Sequence, residues 1–195
     1  MMRMVYLTVV GLVLGGVIHI LTVLLIPSYA SKDAWATLAS QGKAWETFVV
    51  SLPGADSETK LASTDPSFGI AACRFNLGES PLMVRTEGFL PFWSVALFDR
   101  QGRNSYSFND RTAIERKLFL LVVNPVQMAQ LRRNPPEEAE RAVLVESDIQ
   151  EGFVLIRAFQ DMPSRAEAVR EFLSKTSCEK YVFPDLEGSE PTTEN

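Results

Sequence analysis

The N-terminal part of the chain is apolar without interruption, whereas the remainder alternates short apolar runs with polar turns. Residues 5–26 contain no charge, and Pro27 closes the run. A helix of this length reaches about 33 Å, enough to cross a hydrocarbon core of about 30 Å. The pattern predicts a transmembrane helix, with residues 1–30 as an N-terminal membrane anchor.

A cleaved signal peptide is the alternative interpretation of this run, because Ser28 and Ala30 are small residues placed for cleavage after Ala30. A signal sequence usually has an apolar run of about 7–15 residues, so the longer run here favours an uncleaved anchor. Both interpretations export the rest of the chain. Gly11 and Gly15 form a small-xxx-small pair that would let a second helix approach closely, so they are our candidate helix-pairing residues.

Beyond the anchor, strand patterns dominate. Short apolar runs at 69–77, 82–86, 92–99, 118–123, 142–146 and 152–159, and a polar run at 104–109, are separated by turn residues. We interpret consecutive runs as hairpins, and the turn at 99–103 has Gly102 for a positive φ. Residues 31–180 are therefore predicted to form a mainly β (α+β) exported domain. The expected architecture is an antiparallel β-sandwich or jelly-roll-like fold with flanking helices.

Helices are predicted at both ends of this domain and once inside it. A short helix opens at Ser31, a second begins at Asn124-Pro125 and ends near Arg133, and a third lies just before Cys178. Residues 44–52 fit a helix or a strand. Residues 184–195 are acidic and rich in Gly, Pro, Ser and Thr, which predicts a disordered tail.

Composition narrows the functional classes. The net charge of −5 gives no basic footprint for a nucleic acid. Cys73 and Cys178 form an even pair in an exported domain, so they are a candidate disulfide. If it forms, it closes a loop of about 105 residues and contributes about 4 kcal/mol in a chain-entropy estimate. Two buried thiols that never meet are the alternative.

Polar and aromatic residues gather at the two ends of the central hairpin. Two carboxylates could act as acid and base or bind a cation, arginines could hold an anion, and aromatic rings could stack a sugar. The structural alternative is that these groups stabilise their own turns, pair on the surface or lie in the core. The candidate ligand-binding residues are Trp93, Asp99, Asn104, Tyr106, Asn109, Asp110 and Arg111.

Several kinds of chemistry have no support in the sequence. The chain has a single histidine, His19, inside the predicted membrane span, so the exported domain has no Ser-His pair. Ligand spacing for zinc and a glycine-rich phosphate loop are also missing. We therefore predict no catalytic residues, no metal and no cofactor, and the sequence favours a non-enzymatic domain over an enzyme.

The same hairpin carries a family resemblance. Its first strand reads PFWSVALFD at 91–99 and its second NSYSFNDR at 104–111. These segments, with those at 65–74, at Asn124-Pro125 and at 151–154, resemble the bacterial family known as domain of unknown function 1254, in its short, membrane-anchored form. The resemblance covers roughly residues 30–180 and implies a β-rich domain without an assigned activity. It also implies a companion envelope protein carrying the domain of unknown function 1214.

Together these observations predict a single-pass protein of the bacterial inner membrane with the bulk of its chain in the periplasm. We expect a non-enzymatic domain that binds the lipid bilayer through its anchor and acts with the companion protein. The alternative is a periplasmic domain that binds a sugar or an anion, or a carboxylate-based enzyme.

Overall fold

The computed structural model describes residues 1–53, 65–113, 116–133 and 135–183, with the backbone alone for 27–33 and 140. The predicted acidic tail at 184–195 lies outside these residues. The elements in chain order are α1 (Met2–Gln41), β1 (Phe48–Ser51), β2 (Phe68–Asn76), β3 (Leu82–Glu87), β4 (Trp93–Asp99), β5 (Asn104–Asn109), β6 (Lys117–Val123), α2 (Pro125–Arg133), α3 (Glu137–Glu140), β7 (Val143–Glu146), β8 (Glu151–Phe159), α4 (Ala166–Lys175) and β9 (Ser177–Lys180).

The N-terminal helix is longer than the sequence predicts. Its first part, Met2–Ile26, is long and apolar enough to cross a membrane, with a mean hydropathy of 2.7, and a signal sequence would meet the same criteria. The helix then continues to Gln41, so the predicted end at Pro27 and the separate helix opening at Ser31 are wrong. Proline removes one helical hydrogen bond. The helix beyond it is held instead by packing of its last two turns on the folded domain.

The domain is α+β and contains two mostly antiparallel sheets. Sheet A has the strand order β1-β2-β8-β4-β5, and sheet B has the order β7-β6-β3-β9. Among these strands, every pairing is antiparallel except the one between β6 and β7, which is parallel. The predicted β-rich domain with flanking helices is confirmed at this level.

The main core takes side chains from both sheets and from α4. Sheet A contributes alternate residues such as Val95 and Ile156, sheet B contributes Val84 and Leu120, and α4 contributes Phe172. The residues between them, such as Ala72 and Phe153, are buried in a separate cluster on the other face of sheet A. The strand at 92–99, predicted from the sequence to be covered on both faces, is one of these central strands. The ambiguous segment at 44–52 contains the edge strand β1 rather than a helix.

The outer faces of the sheets are covered by helices. The last two turns of α1 place Leu38, which is fully buried, against Val50, Ile70 and Phe153 of sheet A. On sheet B, α2 contributes Met128 and Leu131 to a second outer cluster. Asn124 caps the start of α2, as the sequence predicts, since its side chain accepts from the Gln127 N–H at 2.8 Å. The Gln127 side chain in turn accepts from the Asn124 N–H at 2.8 Å.

Two predicted hairpins are wrong. β3 follows β2 in the chain but pairs with β6 and β9 in the other sheet. β8 does not pair back on β7; it lies between β2 and β4 in sheet A. Both errors have one cause, because burial alternation is the same for a strand that turns back beside its predecessor and for one that crosses to the facing sheet.

The cysteine pair joins the two sheets. Cys73 lies in β2 of sheet A, and Cys178 lies in β9 of sheet B rather than at the end of a helix as predicted. A disulfide links them with their Cα atoms 6.4 Å apart, inside the usual range for such bridges. Both residues are buried in the main core.

Candidate functional site

The turn of the β4–β5 hairpin is built around Asp99. Its Oδ1 accepts hydrogen bonds from the backbone N–H groups of Gln101 and Arg103, each at 2.9 Å, and its Oδ2 accepts from Arg103 Nε at 2.6 Å. Gly102 takes the predicted left-handed conformation with φ 76°. These contacts explain why the sequence turns here.

The same contacts settle the charge of Asp99, which is 8% exposed. Burial by itself would raise the pKa of this carboxyl. Hydrogen bonds from the backbone and side chain of Arg103, the charge of that guanidinium and the Gln101 N–H outweigh burial and lower the pKa. An anion held in this way accepts hydrogen bonds and is a poor proton donor at neutral pH.

The other end of the hairpin holds a second turn. Asn109 Oδ1 accepts from the Arg111 N–H at 3.1 Å, and the Asn109 N–H donates to the Thr112 hydroxyl at 2.9 Å. The Asp110 N–H donates to the backbone carbonyl of Trp93 at 3.2 Å. Among the described residues, no ion pair joins Asp110 to Arg111, so the surface pair considered for them is not formed.

The structure therefore divides the predicted site into two groups. Asp99, Asn104 and Tyr106 lie towards the turn, while Asn109, Asp110 and Arg111 lie at the opposite end of the hairpin. A seven-residue strand such as β4 is about 20 Å long. The two aspartates are consequently too far apart to act on one substrate as acid and base.

Trp93 is not available to stack a sugar. It is 1% exposed and lies in the main core, where its ring centroid is 5.7 Å from that of Phe172. Tyr106 is different, since it is 39% exposed and its hydroxyl donates to the Glu146 carbonyl at 3.0 Å. Of the two predicted aromatic residues, Tyr106 alone can meet a ligand.

A cleft of about 830 Å³ lies beside the turn end of the hairpin. One wall is the β4–β5 turn with Ser105 and Tyr106 of β5, and the other is the segment 146–151 between β7 and β8. Asp99 and Tyr106 thus come together in one concave surface. Asn104 is exposed beside it, and the residues at the other end of the hairpin do not line it.

Carboxylates outnumber guanidinium groups in this cleft, and both guanidinium groups are already paired. Arg103 is bonded to Asp99, and Arg100 forms an ion pair with Glu151. Asp148 is exposed and has no hydrogen bond or ion pair within the described part of the chain. The cleft therefore presents unneutralised negative charge.

The sequence did not single out the segment 146–151. Its polar residues were interpreted as a hairpin turn between neighbouring strands, which has no reason to meet the β4–β5 turn. The signal that would have found it is the predicted helix at Asn124-Pro125. That helix lies in the crossover which a parallel β6–β7 pair requires. The pair puts β7 at the edge of sheet B, and the hydrogen bond from the Tyr106 hydroxyl to the Glu146 carbonyl shows that this edge lies beside β5.

The remaining predicted residues lie outside this cleft. An added Cβ at Gly11 or Gly15 would meet nothing within 4 Å, so that face of α1 is open. Pairing of two such helices remains a prediction. Among the residues that the structure describes, no cluster of three or more His, Cys, Asp or Glu side chains could hold a metal ion.

Comparisons with known proteins show a shared fold and nothing about activity. No protein-family model matches this chain, and no curated protein matches it by sequence. It is similar in structure to the VPA0106 protein from Vibrio parahaemolyticus, with a TM-score of 0.54 and 11% identity over 85% of this chain. It is also similar to a putative uncharacterized protein from Burkholderia cenocepacia, with a TM-score of 0.49 and 12% identity over 87% of this chain. The chain spans 38% of the first protein and 44% of the second.

Proposed function

We propose that this chain is a membrane-anchored envelope protein whose exported domain has no catalytic role and binds a companion envelope protein. The observation that carries the proposal is the continuity of α1. One helix contains the apolar segment Met2–Ile26 and then packs Leu38 into the outer face of sheet A. The domain is thereby fixed to its anchor without a flexible linker.

Three contacts of Trp35 hold this junction besides Leu38. The Trp35 ring lies 6.4 Å from the ring of Phe153. The guanidinium groups of Arg74 and Arg100 lie 5.6 and 5.5 Å from the Trp35 ring centroid, close enough for cation–π attraction. Removing residues 1–30 would leave this docked segment in place, so the exported domain keeps its structure under either interpretation of the apolar run.

The disulfide supports the location. Structural disulfides persist in oxidising compartments and are rare in the cytosol, and the one between Cys73 and Cys178 is buried in the core. It indicates an extracytoplasmic domain. For a bacterial chain with one apolar segment, we infer the inner membrane with the domain in the periplasm. The lipid bilayer is then the first binding partner of α1.

The companion rests on two supports. The resemblance to the domain of unknown function 1254 implies a second domain, of unknown function 1214, supplied by another protein. In the VPA0106 protein, the part matched by this chain is 38% of that protein, so the fold occurs there beside further protein structure. We also propose that the two sheets pack face to face as a sandwich or jelly roll.

Site-specific photo-crosslinking tests this function. A photoreactive residue is placed in the full-length chain, in its native membrane, at exposed positions such as Ser105, Val126, Glu138 and Glu167. We expect one envelope protein to be captured repeatedly from neighbouring positions and not from distant ones. Capture of lipid alone, or of no protein from any position, would contradict the proposal.

A further inference from the structure

Each sheet has two edges, and they differ in their capacity to accept another strand. β1, β7 and β9 have four residues each. β9 also carries the charged residues Glu179 and Lys180, and the register of β1 with β2 shifts between Val49 and Ser51. β5 has six residues with neither a charge nor a proline, and its register with β4 shifts between Leu97 and Phe98. Charges, prolines and short lengths are the usual protections of an edge, and β5 lacks all three.

The outer backbone groups of β5 are unused. Within the described part of the chain, the backbone of residues 104–108 is hydrogen-bonded to nothing outside the ladder with β4. An antiparallel edge strand directs about half of its N–H and C=O groups away from its neighbour. Those of β5 are free to pair with a strand from another molecule.

The cleft lies along this free edge. Ser105 and Tyr106 of β5 form part of its wall, and the Tyr106 hydroxyl is bonded to the last residue of β7. The edge strand β5 of sheet A and the edge strand β7 of sheet B therefore border the same concave surface. An unpaired strand beside a cleft is the arrangement in which an extended peptide gains backbone hydrogen bonds and side-chain contacts together.

The negative charge of the cleft favours a positively charged ligand. Asp148 is unpaired, and Glu146 is half exposed with only a long contact of 3.7 Å to Arg132. A second copy of this chain would offer its own β5, whose six residues have no charged side chain. It would leave Asp148 unpaired and Glu146 with Arg132 alone. A strand with lysine or arginine side chains neutralises both carboxylates.

We propose that β5 and the adjoining cleft bind an extended, basic segment of the companion envelope protein, which adds to sheet A as its sixth strand. The inference rests on the proposed function and names its contact surface. Backbone hydrogen bonds to β5 supply affinity without regard to sequence. The basic side chains, at every second position, meet Glu146 and Asp148 and supply specificity.

The test uses the full chain in nanodiscs of zwitterionic lipid and three fluorescein-labelled ten-residue peptides. The first alternates lysine with valine, the second has the same sequence with N-methyl groups on alternate backbone amides, and the third has glutamate in place of lysine. Fluorescence anisotropy is measured on the natural chain and on Asp148→Lys. Glu46→Lys is the matched control, because Glu46 is exposed and precedes β1 at the opposite edge of sheet A.

We expect the first peptide to bind and the other two to bind at least about tenfold more weakly. Asp148→Lys weakens the first peptide by about tenfold, and Glu46→Lys changes its affinity by less than about twofold. The proposal is overturned if none of the peptides binds, if backbone methylation has no effect, or if the two lysine variants weaken binding equally. The last result would show attraction by net charge alone.

Failure here is separable from failure of the proposed function. If photo-crosslinking captures a companion from positions on α2 or α4 and never from Ser105, the companion binds elsewhere. The proposed function then stands and the β5 surface is wrong. Capture from Ser105 that Asp148→Lys abolishes and Glu46→Lys preserves supports both.

Discussion

Asp99 shows how a residue that could serve as an acid in catalysis can be committed to structure. Both of its oxygens are occupied by donors from the turn that it begins. The sequence was compatible with a structural and a catalytic role, because an Asp before a glycine-containing turn is common in hairpins and carboxylates are also common in functional sites. Only the hydrogen-bond donors around the Asp99 carboxylate distinguish the two roles, and their positions depend on the conformation of the turn.

Replacing this carboxylate tests its structural role. We expect Asp99→Asn to lower the free energy of unfolding by about 2 kcal/mol, because hydrogen bonds to a charged acceptor are lost from a side chain that is nearly buried. Urea unfolding of the purified chain measures the change. Asp148→Asn is the control and should leave the midpoint unchanged, since Asp148 has no such contacts in the described structure.

The loss should also depend on pH. Because the folded-state pKa of Asp99 is lowered, its contribution is complete above about pH 4 and disappears as the pH falls through the folded value. The natural chain and Asp99→Asn should therefore differ at pH 7 and converge in acid. A constant difference from pH 7 down to pH 2 would mean that the effect is steric and not electrostatic.

At the scale of elements, the sequence predicted the strands better than their partners. The apolar runs at 69–77, 92–99 and 118–123 match β2, β4 and β6 closely. Alternation reports which face is buried, and that face is the same whichever neighbour a strand takes. Strand order depends on the connections, and the crossover through α2 was the one that the hairpin interpretation overlooked.

The apolar N-terminal helix gave the opposite result, since its presence was clear from the sequence and its end was not. A proline after an apolar run usually marks a helix end, but here Trp35 and Leu38 make tertiary contacts that hold the helix beyond the proline.

The candidate site could be predicted only in part, because the turn of the β4–β5 hairpin was found from its own residues. The second wall of the cleft could not be found, because its position follows from the order of strands in both sheets.

The docking of α1 on sheet A can be measured directly. We expect Leu38→Ala to cost about 2–5 kcal/mol of local stability, because it empties a buried position between the helix and the sheet. Hydrogen exchange of residues 34–41 should become faster, while exchange in sheet B stays the same. Leu24→Ala is the matched control, since Leu24 is 68% exposed within the apolar segment. Equal exchange in the natural chain and in Leu38→Ala would contradict the docking.

At the scale of the molecule, the disulfide ties the two sheets across the core. Its loop spans 105 residues, so the double variant Cys73→Ala/Cys178→Ala should lose about 4–5 kcal/mol of stability in a chain-entropy estimate. Urea unfolding of the natural chain with and without reductant should show a similar loss. Reductant should have no effect on the double variant. An unchanged midpoint in reduced natural chain would mean that the bridge contributes little.

The proposed membrane anchor would place the cleft close to the bilayer. Arg100 is in its wall and contacts Trp35, which follows Ile26 by about 13 Å of continuous helix. A segment bound along β5 would therefore be within reach of a second protein anchored in the same bilayer. This placement connects the anchor, the docked helix and the proposed binding edge.

In the proposed function, α1 is retained in the mature protein and holds the domain outside the cytoplasm. The most direct test adds a protease to spheroplasts of cells that produce the chain, followed by mass spectrometry of the carbonate-washed membranes. We expect the untreated membranes to contain the intact chain of 21.7 kDa and the treated membranes to contain a fragment that keeps Met2–Ile26 and lacks the disulfide-linked domain. A chain that begins at Ser31 in the soluble fraction, or a domain protected from the protease until the membrane is lysed, would contradict the account.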